Sequence, residues 1–315
     1  MVEAEGSEAI GKALADPQSL VWVDLLIDIE KDAAILSETF EFHPLTIEDC
    51  VSSRVDPPKI DDHGEYIFVI VHSLSRYVPG KELEPVEVDF YLGSNYVVSC
   101  HREEVPAIDQ YRERCRKNGT ALRRGPDWLL HGLLDALVDE YLPIVDALDD
   151  DLDRIEEQVL ERPDNELLQA IMTVRRNSLR LRRATTPQRD LMNRLSRGEF
   201  NKLIRAEATV YYRDVYDHLL RIEYLVEALR DLADGALSTY LSVVSNRLNE
   251  VMKVLTAAAA IFLPVTLIAG IYGMNYPASG VWPPYDSEWG FGTVVGGIAF
   301  IVVALLAYFR YRNWL

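Results

Sequence analysis

The side chains best placed for chemistry stand where an apolar run ends. Tyr272-Gly273-Met274-Asn275 follows residues 254–271, a stretch without a charged residue. Gly273 leaves its backbone carbonyl accessible because it has no Cβ, and Asn275 adds a side-chain amide oxygen. Such oxygens accept hydrogen bonds from the hydration waters of a cation, whereas bare carboxylates would hold the ion and slow its release. Behind them, Asn249, Met252, Leu255, Ala259, Leu263, Thr266 and Gly270 recur at steps of three and four, which puts them on one helical face. As chemistry, the stripe reads as a lined path with an amide, a Met and Leu constriction, then small residues and a hydroxyl. The other reading is ordinary helix packing, in which small and hydroxyl residues let backbones approach. No acidic residue lies on the stripe.

These groups need a membrane to work in. Residues 254–271 and 291–309 are both charge-free and long enough to cross a hydrocarbon core of about 30 Å. Irregular backbone at that depth is tolerated only where it faces protein or a water-filled cavity, so the tetrapeptide reads as a pore entrance. Arg247 and Lys253 precede the first run and Arg310 and Arg312 follow the second, while the intervening loop carries Asp286 and Glu288 and no Lys or Arg. The bias toward positive charge inside places both termini in the cytoplasm, in a multi-pass protein of the cell (inner) membrane.

The rest of the chain supplies the scaffold. Residues 20 to about 120 read as mixed α/β: 21–26, 66–71 and 86–91 are rich in β-branched and aromatic residues, and Gly93-Ser94-Asn95 turns the chain into 96–100 as a hairpin. A short helix is expected from Pro44 to Ser52, and Pro57-Pro58 breaks the pattern before the central strands. From Asp127 to Val159 the apolar residues recur at helical steps, predicting one amphipathic helix. Arg162-Pro163 closes it, and Asp164 caps a second helix over 165–197. Residues 139–161 hold ten acids against one Arg, and residues 175–205 hold ten Lys or Arg against two acids. The expectation is a helical hairpin whose two arms pair electrostatically; an acidic arm that gathers cations near the membrane is the other reading. A last helix begins near Ala206 and need not stop before Tyr272, which makes it about 100 Å long at the α-helical rise. Such a helix buries its stripe best in a symmetric bundle, whose axis is a natural pore.

With these residues in view, the chain resembles the CorA family of magnesium transporters. The resemblance rests on the Tyr272–Asn275 tetrapeptide with Asn249-Glu250-Val251-Met252-Lys253-Val254-Leu255-Thr256 before it. Arg213-Asp214-Val215-Tyr216-Asp217-His218, His43-Pro44-Leu45-Thr46-Ile47-Glu48-Asp49 and the closing Trp314-Leu315 extend it. The resemblance implies an α+β fold, with a cytosolic α/β domain and a long stalk helix continuous with the first of two transmembrane helices, in a homopentameric funnel. Its divisions are 1–125 (α/β domain), 126–205 (helical hairpin), 206–253 (stalk), 254–272 (pore-lining helix), 273–290 (outer loop), 291–309 (second membrane helix) and 310–315 (tail).

The resemblance also implies conduction of hydrated Mg²⁺, with Co²⁺ and Ni²⁺ as substitutes, through a filter at Tyr272, Gly273, Met274 and Asn275 and a gate at Met252 and Leu255. A regulatory Mg²⁺ site between subunits falls on Asp49, Asp214 and Glu48; taken by themselves, these are ordinary helix-surface acids. Two departures stand out. The loop after Asn275 reads Tyr276-Pro277-Ala278 where members often have Met-Pro-Glu, and Arg310-Tyr311-Arg312-Asn313 replaces the usual lysine run.

Composition excludes other classes. A net charge of −18 argues against nucleic acid, which needs clustered Lys and Arg. Cys50, Cys100 and Cys115 stand singly and read as reduced thiols. Met1 to Asp16 is acidic, without an apolar leader, so no cleavable signal peptide is expected. No Ser/His/Asp set, P-loop or Cys-x-x-Cys motif marks an enzyme. The rivals are a carrier of Zn²⁺ or another divalent metal coupled to protons, and a non-conducting membrane Mg²⁺ sensor. Neither apolar run carries the ionisable residue that proton coupling usually needs.

Overall fold

The computed structural model describes residues 6–27, 33–74, 76–118, 122–274, 289–312 and 314. The chain divides into two units, Met1–Leu237 and Ser238–Leu315.

The first unit is built on a five-stranded sheet of β1 (Val21–Leu26), β2 (Lys59–Asp62), β3 (Ile67–Leu74), β4 (Pro85–Leu92) and β5 (Tyr96–His101), in the order β1-β5-β4-β3-β2. β1 runs parallel to β5 and the other pairs are antiparallel. The expected β4–β5 hairpin is present, with Leu92 opposite Val97 and the Gly93 N–H donating to the Tyr96 carbonyl at 3.0 Å. Glycine lets the Tyr96 ring lie against this turn, since a Cβ at position 93 would come 2.3 Å from it and the ring would have to move. Every residue of β3 is buried, as suits a strand covered on both faces. Short β2 was not expected, because Lys59-Ile60-Asp61-Asp62 holds a single apolar residue. It survives as an edge strand whose outward positions are charged. Helices α1 (Ser7–Leu14), α2 (Pro44–Val51) and α3 (Pro106–Asn118) flank the sheet, with one wide turn at Ile35–Thr39.

The single helix expected from Asp127 to Val159 is instead two, α4 (Pro126–Asp139) and α5 (Tyr141–Glu161). Pro143 explains the break: it lacks an N–H, and its ring crowds the carbonyl of Asp139, four residues back. α6 (Asn165–Ser196) follows, with the Asp164 carboxylate accepting from the Leu167 N–H at 2.9 Å as the predicted cap. Sheet and helices are locked by a buried polar ring. Gln188 on α6 accepts from the His72 N–H and donates to Tyr141 Oη at 3.0 Å, and that hydroxyl donates to the His72 carbonyl at 2.8 Å.

The electrostatic pairing expected between the acidic and basic arms is also corrected. The ion pairs of Arg175, Arg176, Arg182 and Arg189 on α6 run to the β3–β4 link and to α7 (Ala206–Tyr272) rather than to α5. Arg176 pairs with Glu82 at 2.6 Å, Arg189 with Glu223 at 2.5 Å, Arg182 with Glu227 at 3.3 Å and Arg175 with Asp234 at 2.7 Å. The reason lies in the helix faces. α5 turns Leu148, Leu152, Ile155 and Val159 inward and leaves Asp146, Asp149, Asp150, Asp153 and Glu157 exposed.

The second unit holds the rest of α7 and α8 (Gly290–Tyr311). Both are long and apolar enough to cross a membrane, with a mean hydropathy of 2.3 over their most apolar windows, of which only 6 % is buried. α7 is a continuous helix of 67 residues, as the sequence predicts, and accommodates Pro264 in its interior.

Candidate functional site

Two groups of residues bear on function, one in each unit. In the second unit, Asn249, Met252, Leu255, Ala259, Leu263, Thr266 and Gly270 all lie on α7 and are all exposed. At 3.6 residues per turn they fall within about 120° of arc. Exposure does not single them out, because Val251 and Val254 on other faces are 64 % and 57 % exposed. What separates the stripe is chemistry, with polar, bulky and small residues in turn. α7 ends at Tyr272, and Gly273 continues its hydrogen bonding by donating to the Ala269 carbonyl at 2.9 Å. A Cβ on Gly273 would lie a tight 3.1 Å from that same carbonyl oxygen, so glycine eases the close of the backbone there. Met274 follows, 56 % exposed. Asn275, Asp286 and Glu288 lie outside the described residues. At the other end, the Trp314 N–H donates to the Phe309 carbonyl at 2.9 Å, and its ring stacks on Phe309 at 5.5 Å.

In the first unit, His43 and Pro44 start α2. His43 Nδ1 accepts from the Leu45 N–H at 3.3 Å, and Pro44 is pre-set for the first helical turn. Glu48 is exposed. Asp49 is half-buried and bound to Lys59 Nζ at 2.7 Å, and the same ammonium sits 3.2 Å from Asp61. Deeper lie Glu87 and Asp89 of β4. Burial pushes Glu87 up to about 7, although it accepts the Asp56 N–H. Burial also raises Asp89 well above the usual carboxylate range, and its Oδ1 has no hydrogen-bond partner among the described residues. Asp214 is exposed on α7.

Asp214 instead lies near a cluster that sequence reasoning missed, close enough for its charge to act on Asp135. Asp135, Asp139 and His218 place their ligand atoms within 4.8 Å of one another. Burial raises the Asp135 pKa, and the charges of Asp139 and Asp214 push it further up. Like charges crowded in this way are relieved by a divalent cation. Carboxylates suit Mg²⁺, and an imidazole beside them also suits Co²⁺. The signal was available as two i, i+4 pairs, Asp135/Asp139 and Asp214/His218, each on one helical face. Their meeting depends on the docking of α7 onto α4. There the buried Asp127 carboxylate takes a two-pronged grip from Arg205, at 2.8 Å (Nε) and 2.5 Å (Nη2), and its carbonyl accepts from Tyr212 Oη at 2.8 Å.

Comparison with known proteins bears on the family and the fold. Residues 17–311 match the model of the CorA-like Mg²⁺ transporter protein family. The chain is 39 % identical over 281 residues to the cobalt/magnesium transport protein CorA of Thermotoga maritima, covering 89 % of this chain and 79 % of that protein. It is 36 % identical over 293 residues to the putative metal ion transporter YfjQ of Bacillus subtilis, covering 93 % and 89 %. In fold it is similar to the complete structure of the CorA magnesium transporter from Methanocaldococcus jannaschii, with a TM-score of 0.82 at 20 % identity, covering 94 % of this chain and 92 % of the other. The α/β domain, the long helix, the two membrane-length helices and the relatives together place the chain in the CorA-like Mg²⁺ transporter family.

Proposed function

We propose that the chain is a channel-like conduit for hydrated Mg²⁺, with Co²⁺ and Ni²⁺ as alternative cargo, driven inward by the membrane potential and closed by cytosolic Mg²⁺. The observation that carries the reading is the α7 stripe: seven residues on one arc of an uninterrupted helix, without a carboxylate, ending at Gly273. Five copies around an axis, the number being taken from the family resemblance, would line a path through residues 254–272. Residues 291–309 would form the outer helix, 273–290 the outer loop, and 1–253 and 310–315 would lie in the cytoplasm. Met252 and Leu255 then block ions by dewetting when narrow, and the Gly273 carbonyl and Asn275 amide face hydration waters at the mouth.

Closure is assigned to carboxylates of the first unit. Asp49 and Glu48 of one subunit face Asp214 of the next and repel it unless a cation neutralises them, so bound Mg²⁺ favours the closed ring by its differential affinity. The Asp135–Asp139–His218 cluster, beside Asp214, provides further ligands on the same side. The absence of an ionisable residue on the stripe favours a passive conduit over a proton-coupled Zn²⁺ carrier.

The test is Mg²⁺ flux into proteoliposomes under an imposed potential, with and without internal Mg²⁺. Influx that internal Mg²⁺ suppresses and Asn275→Ala abolishes is the expected result. Zn²⁺ uptake that follows a proton gradient would overturn the cargo and mechanism. A metal response that survives Asn275→Ala without any flux would mark a sensor.

A further inference from the structure

We propose that Lys59 is a tethered competitor for the regulatory cation: its ammonium occupies Asp49 in the metal-free chain, and a divalent ion must displace it to bind. The inference rests on the reading of Asp49 as a metal-sensing carboxylate and deepens it.

The geometry supports displacement rather than a fixed structural pair. Lys59 Nζ lies 2.7 Å from Asp49 Oδ2, the position a cation bound to that oxygen would need. It also lies 3.2 Å from Asp61 Oδ2 and 5.8 Å from the centroid of the Phe68 ring. The ammonium therefore has a second carboxylate and an aromatic face, and releasing Asp49 does not strand it. All three charged side chains are partly open to solvent, at 38 % for Lys59, 29 % for Asp49 and 46 % for Asp61. An ion pair this exposed is weak enough for a divalent ion to break, yet strong enough to tax its binding.

Sequence placement serves the same end. Lys59 opens β2 directly after Pro57-Pro58, so its backbone is held by the ladder to Ile70 and only its side chain need move to release Asp49. The other groups facing Asp49 set the sign. Glu87 and Asp89 lie below it, Glu48 stands beside it, and Arg102 is committed to the Cys50 and Ser52 carbonyls at the end of α2. Without Lys59, Asp49 keeps the carboxylates of Asp61 and Glu48 as neighbours, which draws a divalent cation more strongly. Lys59 thus moves the closing concentration upward and keeps the conduit open at cation levels that would otherwise shut it.

The experiment measures the Mg²⁺ concentration that half-protects the full-length protein, in detergent micelles, against limited proteolysis. Lys59→Met is expected to lower that concentration about two- to five-fold, the range set by an exposed ion pair. Lys59→Arg, which keeps a cation on Asp49, is expected to leave it unchanged or raise it. Arg54→Met removes an exposed cation of the same loop without touching Asp49 and is expected to have little effect. A Lys59→Met midpoint that stays or rises overturns the proposal, as does an equal fall in Arg54→Met, which would show a general field. Asp49→Asn separates the two layers. If it leaves Mg²⁺ protection unchanged, the reading of Asp49 fails. If it weakens protection while Lys59→Met does nothing, only the competitor fails.

Discussion

Asp127→Asn should loosen the junction that brings α4 and α7 together. The Asp127 carboxylate is 1 % exposed and accepts from Arg205 Nε at 2.8 Å, Arg205 Nη2 at 2.5 Å, the Arg205 N–H at 3.2 Å and the Trp128 N–H at 3.0 Å. Asparagine keeps one oxygen and turns an amide N–H₂ toward a guanidinium that can only donate. About two charge-assisted hydrogen bonds are lost, each worth roughly 1.5–3 kcal/mol. Arg205 is 52 % exposed and recovers hydration, so the low end applies and the loss comes to about 3 kcal/mol. For a unit of this size that is a fall in Tm of about 6–12 °C.

The assay is thermal unfolding of the full-length protein in detergent, followed by tryptophan fluorescence, to which Trp128 in the same junction contributes. Arg205→Met and the double variant complete the cycle, and the double variant should fall little further than either single. A Tm drop under 2 °C for Asp127→Asn, or full additivity in the cycle, would refute the reasoning. Because the junction sets Asp135 and Asp139 against His218, Mg²⁺ should also stabilise Asp127→Asn less than the parent.

His101 donates from a ring nitrogen to Asp24 at 3.2 Å; burial lowers its pKa, but the Asp24 hydrogen bond and charge outweigh this and the net shift is upward. A raised folded pKa gives stability that is complete below about 6.5 and is lost as pH rises through the folded value, so Tm should decline from pH 6 to 8.5 and His101→Gln should flatten that decline. Gln188→Ala orphans the buried His72 N–H and leaves a cavity, costing about 2–4 kcal/mol by urea or thermal unfolding, whereas exposed Gln158→Ala should lie within about 0.5 kcal/mol of the parent. Asp139→Asn should reduce Co²⁺-induced thermal stabilisation at pH 7.5; an unchanged shift would remove the cluster from the metal sites.

Much of the scaffold was legible because period and punctuation agree. β1, β3 and the β4–β5 hairpin announce themselves by β-branched runs and Gly93, and the long helix by the absence of any breaker but Pro264. The α4/α5 break was hidden because the apolar period continues across it, so Pro143 carried the only warning. The charge pairing of the arms was misjudged for a different reason. Opposite composition says that two helices could pair, but only the apolar stripes say which faces meet. Of the site, the α7 stripe was readable from spacing, since helix geometry alone brings it together. The Asp135–Asp139–His218 cluster and the Lys59–Asp49 pair were not, because each depends on tertiary docking of distant segments.

The ion pairs between α6 and α7 also constrain movement. Arg189, Arg182 and Arg175 descend along α6 as Glu223, Glu227 and Asp234 ascend along α7, so the two helices run antiparallel with a graduated scale of charge between them. Sliding one past the other by a turn, about 5.4 Å, loses at least one of the three pairs: in one direction Arg175 would face Ser238, and in the other Arg189 would face Leu219 and Arg175 would face Arg230. The helices are toothed like a rack, and each slipped tooth loses charge pairing. Movement of this part of α7 is therefore biased toward carrying α6 with it, and through the Gln188 ring the sheet as well.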